Sequence, residues 1–71
     1  MIELTPEEFK SMRERLGYSQ QALADEWGMG DSGGRTIRRW ESGDRPVNPV
    51  AAYAIETMWA NGLYYSGNQM W

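Results

Sequence analysis

Apolar residues recur along this chain at spacings of three and four, in short stretches bounded by glycine, proline and capping side chains. That period is the signature of amphipathic helices. The first stretch sets Phe9, Met12 and Leu16 on one face. Ahead of it, Thr5-Pro6-Glu7-Glu8 spells a capping box with proline at the first helical position, and Gly17 ends the helix. Leu4 and Phe9 are spaced for a hydrophobic staple. Ser19 caps a second helix, Gln20 to about Trp27, which turns Leu23, Ala24 and Trp27 inward and stops at Gly28. A third runs from about Gly33 to Ser42, with Ser32 or Asp31 as its cap, Ile37 and Trp40 inward, and Gly43 as terminator. After a turn at Asp44-Arg45-Pro46-Val47, Asn48-Pro49 repeats the cap-plus-proline signal. It opens a fourth helix, about Pro49 to Ala60, with Ala51, Ala54, Ile55 and Met58 along one side and Asn61-Gly62 at its end. No stretch alternates for long enough to build a sheet. The pattern predicts an all-α, four-helix domain over residues 1–62 and a short aromatic C-terminal tail, 63–71.

Size changes the picture first. A chain of 71 residues buries about 60% of the surface its unfolded form exposes, so such domains commonly rely on a disulfide, a metal or a partner subunit. Cysteine and histidine are both absent, which removes disulfides, the two commonest zinc ligands and the usual nucleophile–base pairs. Glu7 and Glu8 are explained by the helix cap and the macrodipole. The reading is therefore of a protein that is not an enzyme, has no cofactor, metal or small-molecule ligand, and gains stability as a homodimer. Tyr64, Tyr65 and Trp71 are expected to pack on the domain or across that dimer interface, because clustered aromatics are costly to leave in water. The lack of cysteine fits a cytoplasmic setting, and MIELTPEEFK lacks the basic and apolar regions of a signal peptide. No apolar run approaches the roughly 20 residues needed to cross a bilayer, so no membrane partner is expected.

Charge changes it next. The net charge of −3 argues against a nucleic-acid partner until its distribution is considered. Residues 1–31 carry seven acidic and three basic side chains, whereas residues 32–45 hold four arginines against Glu41 and Asp44. The positive charge is a focused footprint on an acidic background.

That footprint lies beside a second signal. Gly28-Met29-Gly30-Asp31-Ser32-Gly33 matches the G-x-G-x-x-G spelling of a dinucleotide-binding turn. The chemistry needs a strand before the glycines and a parallel strand after the helix, and neither is present. No carboxylate stands about 20 residues on to hold a ribose, and no lysine follows as in a phosphate-binding loop. The cofactor reading fails on context.

A short helix, a turn and a second helix with cationic residues outward describe a helix-turn-helix, whose second helix enters the major groove. With Ile37 and Trp40 facing the core, Arg35, Thr36, Arg38 and Arg39 point away from it, and Arg35 and Arg39 share a face. Arginine bridges O6 and N7 of guanine, a contact that gives about 1–3 kcal/mol of discrimination.

SQQALADEWGM followed by RTIRRWESGDRP resembles the helix-turn-helix of phage Cro- and repressor-type regulators, the lambda-repressor-like domains, over roughly residues 7–60. The sharpest parts are Gln20, Ala24, Gly28 and Ile37-Arg38-Arg39-Trp40-Glu41-Ser42-Gly43. The resemblance implies that Gln20, and Gln21 beside it, touch the phosphate backbone. It sets Arg35 and Arg39 where the family reads bases, and Arg38, on the same working face, is expected to read bases with them. Thr36 and Ser42 fall where the family contacts phosphate, and Arg45 is taken as a further backbone contact. Arg13 and Glu41 match a structural ion pair that ties helix one to the end of helix three. One departure stands out: the turn is about three residues longer than usual, because Gly30-Asp31-Ser32 has no counterpart. Gly33 and Gly34 either let the backbone approach DNA closely, which makes Gly34 a backbone contact, or absorb the insertion.

The functional expectation is sequence-specific binding to double-stranded DNA. A dimeric transcriptional repressor of a phage or mobile-element operon would bind an inverted repeat in the major groove, with helix four and the tail as the dimer surface. The resemblance extends to anti-CRISPR-associated repressors and some antitoxins. An antitoxin-type module that binds a partner protein through its C-terminal region is the alternative.

Overall fold

The computed structural model describes residues 4–64, in which four helices follow one another: α1 Pro6–Leu16, α2 Gln20–Glu26, α3 Gly33–Ser42 and α4 Pro49–Asn61. There is no strand among the described residues. Three helix starts use the capping chemistry written in the sequence. The Thr5 hydroxyl accepts from the Glu8 amide at 3.1 Å while the Thr5 amide donates to Glu8 Oε1 at 2.9 Å, a complete capping box. Ser19 Oγ accepts from the Ala22 amide at 3.0 Å, and Asn48 Oδ1 from the Val50 amide at 2.8 Å. Gly17, Gly43 and Gly62 close α1, α3 and α4 in the left-handed conformation, which a side chain would strain.

The start of α3 departs from expectation. Ser32 is at the cap position, but neither it nor Asp31 caps the helix through its side chain. Ser32 sits at φ −90° and ψ 2°, outside the extended region a capping side chain requires. Its carbonyl accepts the Thr36 amide at 3.2 Å and begins the helical ladder.

The core is a single cluster to which every helix contributes. Phe9, Leu16, Leu23, Ile37 and Ile55 are fully buried. Phe9 is its hub, meeting Trp27 edge-on at 6.2 Å and Trp40 at 5.8 Å, the geometry that aromatic quadrupoles favour. Both tryptophans therefore serve packing. Leu4 lies against the cluster, where the staple needs it. On α4 the inward stripe is Ala51, Ala52, Ile55 and Met58; Ala54, expected there, is only half-buried. Small side chains mark both positions, so sequence alone did not fix the rotation of this helix. Leu63 and Tyr64 are exposed. Tyr65 and Trp71, and with them most of the tail expected to pack or dimerise, lie outside the described residues.

Candidate nucleic-acid interface

Helix α3 is amphipathic in charge as well as hydropathy. Ile37 and Trp40 are buried, whereas Arg35, Arg38 and Arg39 are all exposed, and none of the three enters an ion pair among the described residues. Three guanidinium groups thus stand on one short helix with their donors unpaired among the described residues, a geometry suited to acceptors on another molecule. What remains is how the fold fixes the helix that carries them.

Its leading end is held by close backbone approach. A Cβ built on Gly33 would stand 2.5 Å from Ala24 Cβ and 2.7 Å from Met29 Cβ, and one on Gly34 would stand 2.5 Å from Gln21 Oε1 and 3.2 Å from Gln21 Cα. Both glycines are buried against α2, so of the two readings of Gly34 the structure favours packing that accommodates the lengthened turn. The Gly34 amide is also taken, because Gln21 Oε1 accepts it at 3.1 Å. Gln21 supplies the cap that Ser32 does not. Its Nε2 donates to Asp25 Oδ1 at 2.8 Å and points to the Gly30 carbonyl at 3.5 Å, so the whole carboxamide is occupied inside the fold. In this structure the Gln21 carboxamide and the Gly34 amide, both expected to face phosphate, bond within the fold.

The trailing end is held by charge. Arg13 Nε donates to Glu41 Oε2 at 2.6 Å and Nη2 to Glu41 Oε1 at 2.9 Å, a bidentate pair between α1 and α3. Arg13 Nη1 donates to the Tyr18 carbonyl at 2.8 Å, and Gln20 Nε2 adds a third donor to Glu41 at 3.1 Å. Arg13 is 7% exposed and the Glu41 side chain 4%, so each charge is buried with its partners in place. One carboxylate joins α1, α2 and α3.

The remaining expected contacts separate by what their donors do. Ser42 Oγ donates to the Arg39 carbonyl at 3.1 Å, and Thr36 Oγ1 to the Ser32 carbonyl at 3.4 Å, so each single hydroxyl hydrogen is already directed at backbone. Gln20 keeps one amide hydrogen beyond its bond to Glu41, and Arg45 is exposed. Two open recesses flank the arginine face. One, of about 650 Å³, brings Thr36, Arg39, Arg45 and Asn48 together; the other, of about 330 Å³, brings Gln20, Arg35 and Arg38 together with Asp31. Asn48 and Asp31 were not among the residues expected at this face. Only their places beside the turns flanking α3 could have drawn attention to them.

A short helix α2, a turn of residues 27–32 and an outward-facing cationic α3 are thus pinned into one unit. A family model described as Helix-turn-helix matches residues 9–57, from α1 into α4. The chain belongs to the helix-turn-helix family. In this Cro-type helix-turn-helix domain α2 stands as the first helix of the motif and α3 as the second, the helix that such domains set in the major groove, and membership of the family supports sequence-specific DNA binding. The all-α, four-helix fold agrees with the family. Among curated proteins, this helix-turn-helix chain is 54% identical over 46 residues to a type II methyltransferase, M1.ScrFI, of Lactococcus lactis subsp. cremoris. The match takes in 65% of this chain and only 12% of the methyltransferase. No solved structure gives a significant match. Among the described residues no helix is long and apolar enough to cross a membrane.

Proposed function

We propose that the chain acts as a homodimeric, cytoplasmic transcriptional repressor that binds an inverted-repeat operator of a phage or mobile-element operon and catalyses no reaction. The observation that carries this reading is the exposed face of Arg35, Arg38 and Arg39 on a helix held at both ends. Arg35 and Arg39 read guanine edges, Arg38 supports them, and Gln20 and Arg45 bind phosphate on either side. Dimerisation follows from economy of contact. Each protomer offers few free cations, and a two-fold pair doubles them across half-sites about 34–36 Å apart. The second copy meets α4, where Val50 and Tyr53 stand one turn apart at 75% and 65% exposure on the face opposite the buried alanines. Thr57 and Ala60 continue that exposed stripe.

Selection from random duplexes followed by titration tests the reading. It expects an inverted repeat, bound by two copies, with affinity that falls steeply as salt rises. A protein that selects no sequence at low salt contradicts it, and capture of a protein through the C-terminal region instead would favour the antitoxin alternative. The similarity to a methyltransferase favours a second setting for the same DNA-reading unit, one that accompanies DNA modification. An operator beside a methyltransferase gene would support that setting.

A further inference from the structure

The lengthened turn carries a chemistry that the arginines lack. The Gly33 amide donates to the Gly30 carbonyl at 3.0 Å, so Gly30-Asp31-Ser32-Gly33 is a β-turn with Asp31 and Ser32 at its corner. The Ser32 backbone has the dihedral angles of the third position of a type I turn. Both corner side chains are exposed, and the Asp31 carboxylate has neither an ion pair nor a hydrogen bond among the described residues. It borders the recess that holds Gln20, Arg35 and Arg38, at the leading end of the recognition helix.

In a helix-turn-helix that end approaches base edges. A bare carboxylate there is repelled by phosphate and only accepts hydrogen bonds. It costs affinity at every sequence except where a base presents a donor. Guanine and thymine show acceptors alone in the major groove, and adenine sets its N7 acceptor beside the N6 donor. Cytosine presents the N4 donor without a neighbouring acceptor.

We propose that Asp31 is a specificity-determining residue, which accepts a hydrogen bond from the N4 amino group of a cytosine in the same half-site as the base read by Arg35. The inference rests on the DNA-reading function proposed above. The arginines select guanine; Asp31 rejects the other bases at a separate position.

Selection from random duplexes with the wild type, Asp31→Ala and Asp31→Asn tests this, with each selected site then titrated with all four bases at each position. The wild type is expected to prefer cytosine at one position per half-site by at least about fivefold, as a single good contact provides. Asp31→Ala is expected to lose that preference there alone, while binding the duplexes that lack the cytosine a few-fold more tightly. Asp31→Asn is expected to move the preference toward adenine, which pairs with a carboxamide through N6 and N7. A selective wild type whose base preferences survive both substitutions overturns the role of Asp31 and leaves the repressor reading intact. So does a uniform loss of affinity with a lowered melting temperature, which makes Asp31 a helix-dipole partner only. A wild type that selects no sequence overturns both.

Discussion

Glu41→Ala removes the carboxylate on which three helices converge. Arg13 Nε, Arg13 Nη2 and Gln20 Nε2 all lose their acceptor, and the Tyr18 carbonyl remains as the one hydrogen-bond partner of the buried guanidinium. Glu14 lies 3.9 Å away but is 57% exposed, and a long contact in that setting compensates little. Breaking a buried ion pair from one side costs about 3–5 kcal/mol. At about 0.05–0.15 kcal/mol per residue the whole domain has only about 4–11 kcal/mol to lose. Each kcal/mol moves the melting temperature of a domain this small by about 4–8 °C, so the variant should melt at least about 12 °C lower. Circular dichroism melts, supported by urea titration, measure this directly. The double variant Arg13→Met/Glu41→Leu should regain most of the loss, because an apolar pair avoids the desolvation that the lone arginine suffers. A single variant that melts within about 4 °C of the wild type would refute the reasoning.

Gly33→Ala should destabilise the domain although alanine is the better helix former by about 1 kcal/mol, because its Cβ would meet Ala24 and Met29 well inside contact distance. Overpacking of this kind costs about 1–3 kcal/mol, and a raised melting temperature would show that α3 moves aside freely. Gln21→Ala should lower stability by about 0.5–2 kcal/mol through the uncapped Gly34 amide, while leaving the slope of binding against salt unchanged; a shallower slope would mark Gln21 as a phosphate contact after all. Arg39→Ala should relax preference at one base pair per half-site at about 1–3 kcal/mol, whereas Arg45→Ala should weaken all duplexes evenly and reduce the salt slope by about 1 per protomer. Titrations of single-base operator variants at two salt concentrations separate these outcomes. Tyr53→Glu should shift the protein toward monomer in light scattering; an unchanged mass would remove α4 from the dimer surface.

The chain wrote its helices plainly because each boundary depends on neighbours in sequence. Thr5 with Glu8, Asn48 with Pro49 and the closing glycines act over a few residues, and their geometry follows from their identity. The start of α3 was not legible for the same reason reversed. Its cap comes from Gln21, thirteen residues away, and nothing local distinguishes that glutamine from Gln20 beside it. The two face different neighbours, Gln20 toward Glu41 and Gln21 toward Gly34, which sends one to the rear of the recognition helix and one to its front. Gly33 and Gly34 were ambiguous because a missing side chain permits close approach from either side, and only tertiary packing chooses α2 over solvent. The exposed arginines were legible because Ile37 and Trp40 fix the rotation of α3.

The central claim is that this helix-turn-helix reads its operator from the major groove through the arginines of α3. Dimethyl sulfate probing of the selected duplex tests it most directly, since guanine N7 opens to the major groove and adenine N3 to the minor. Bound wild-type protein should protect guanine N7 at positions in each half-site, and Arg39→Ala should restore reactivity at one of them. Protection confined to adenine N3, or guanine N7 reactivity that the protein leaves untouched, would contradict the account.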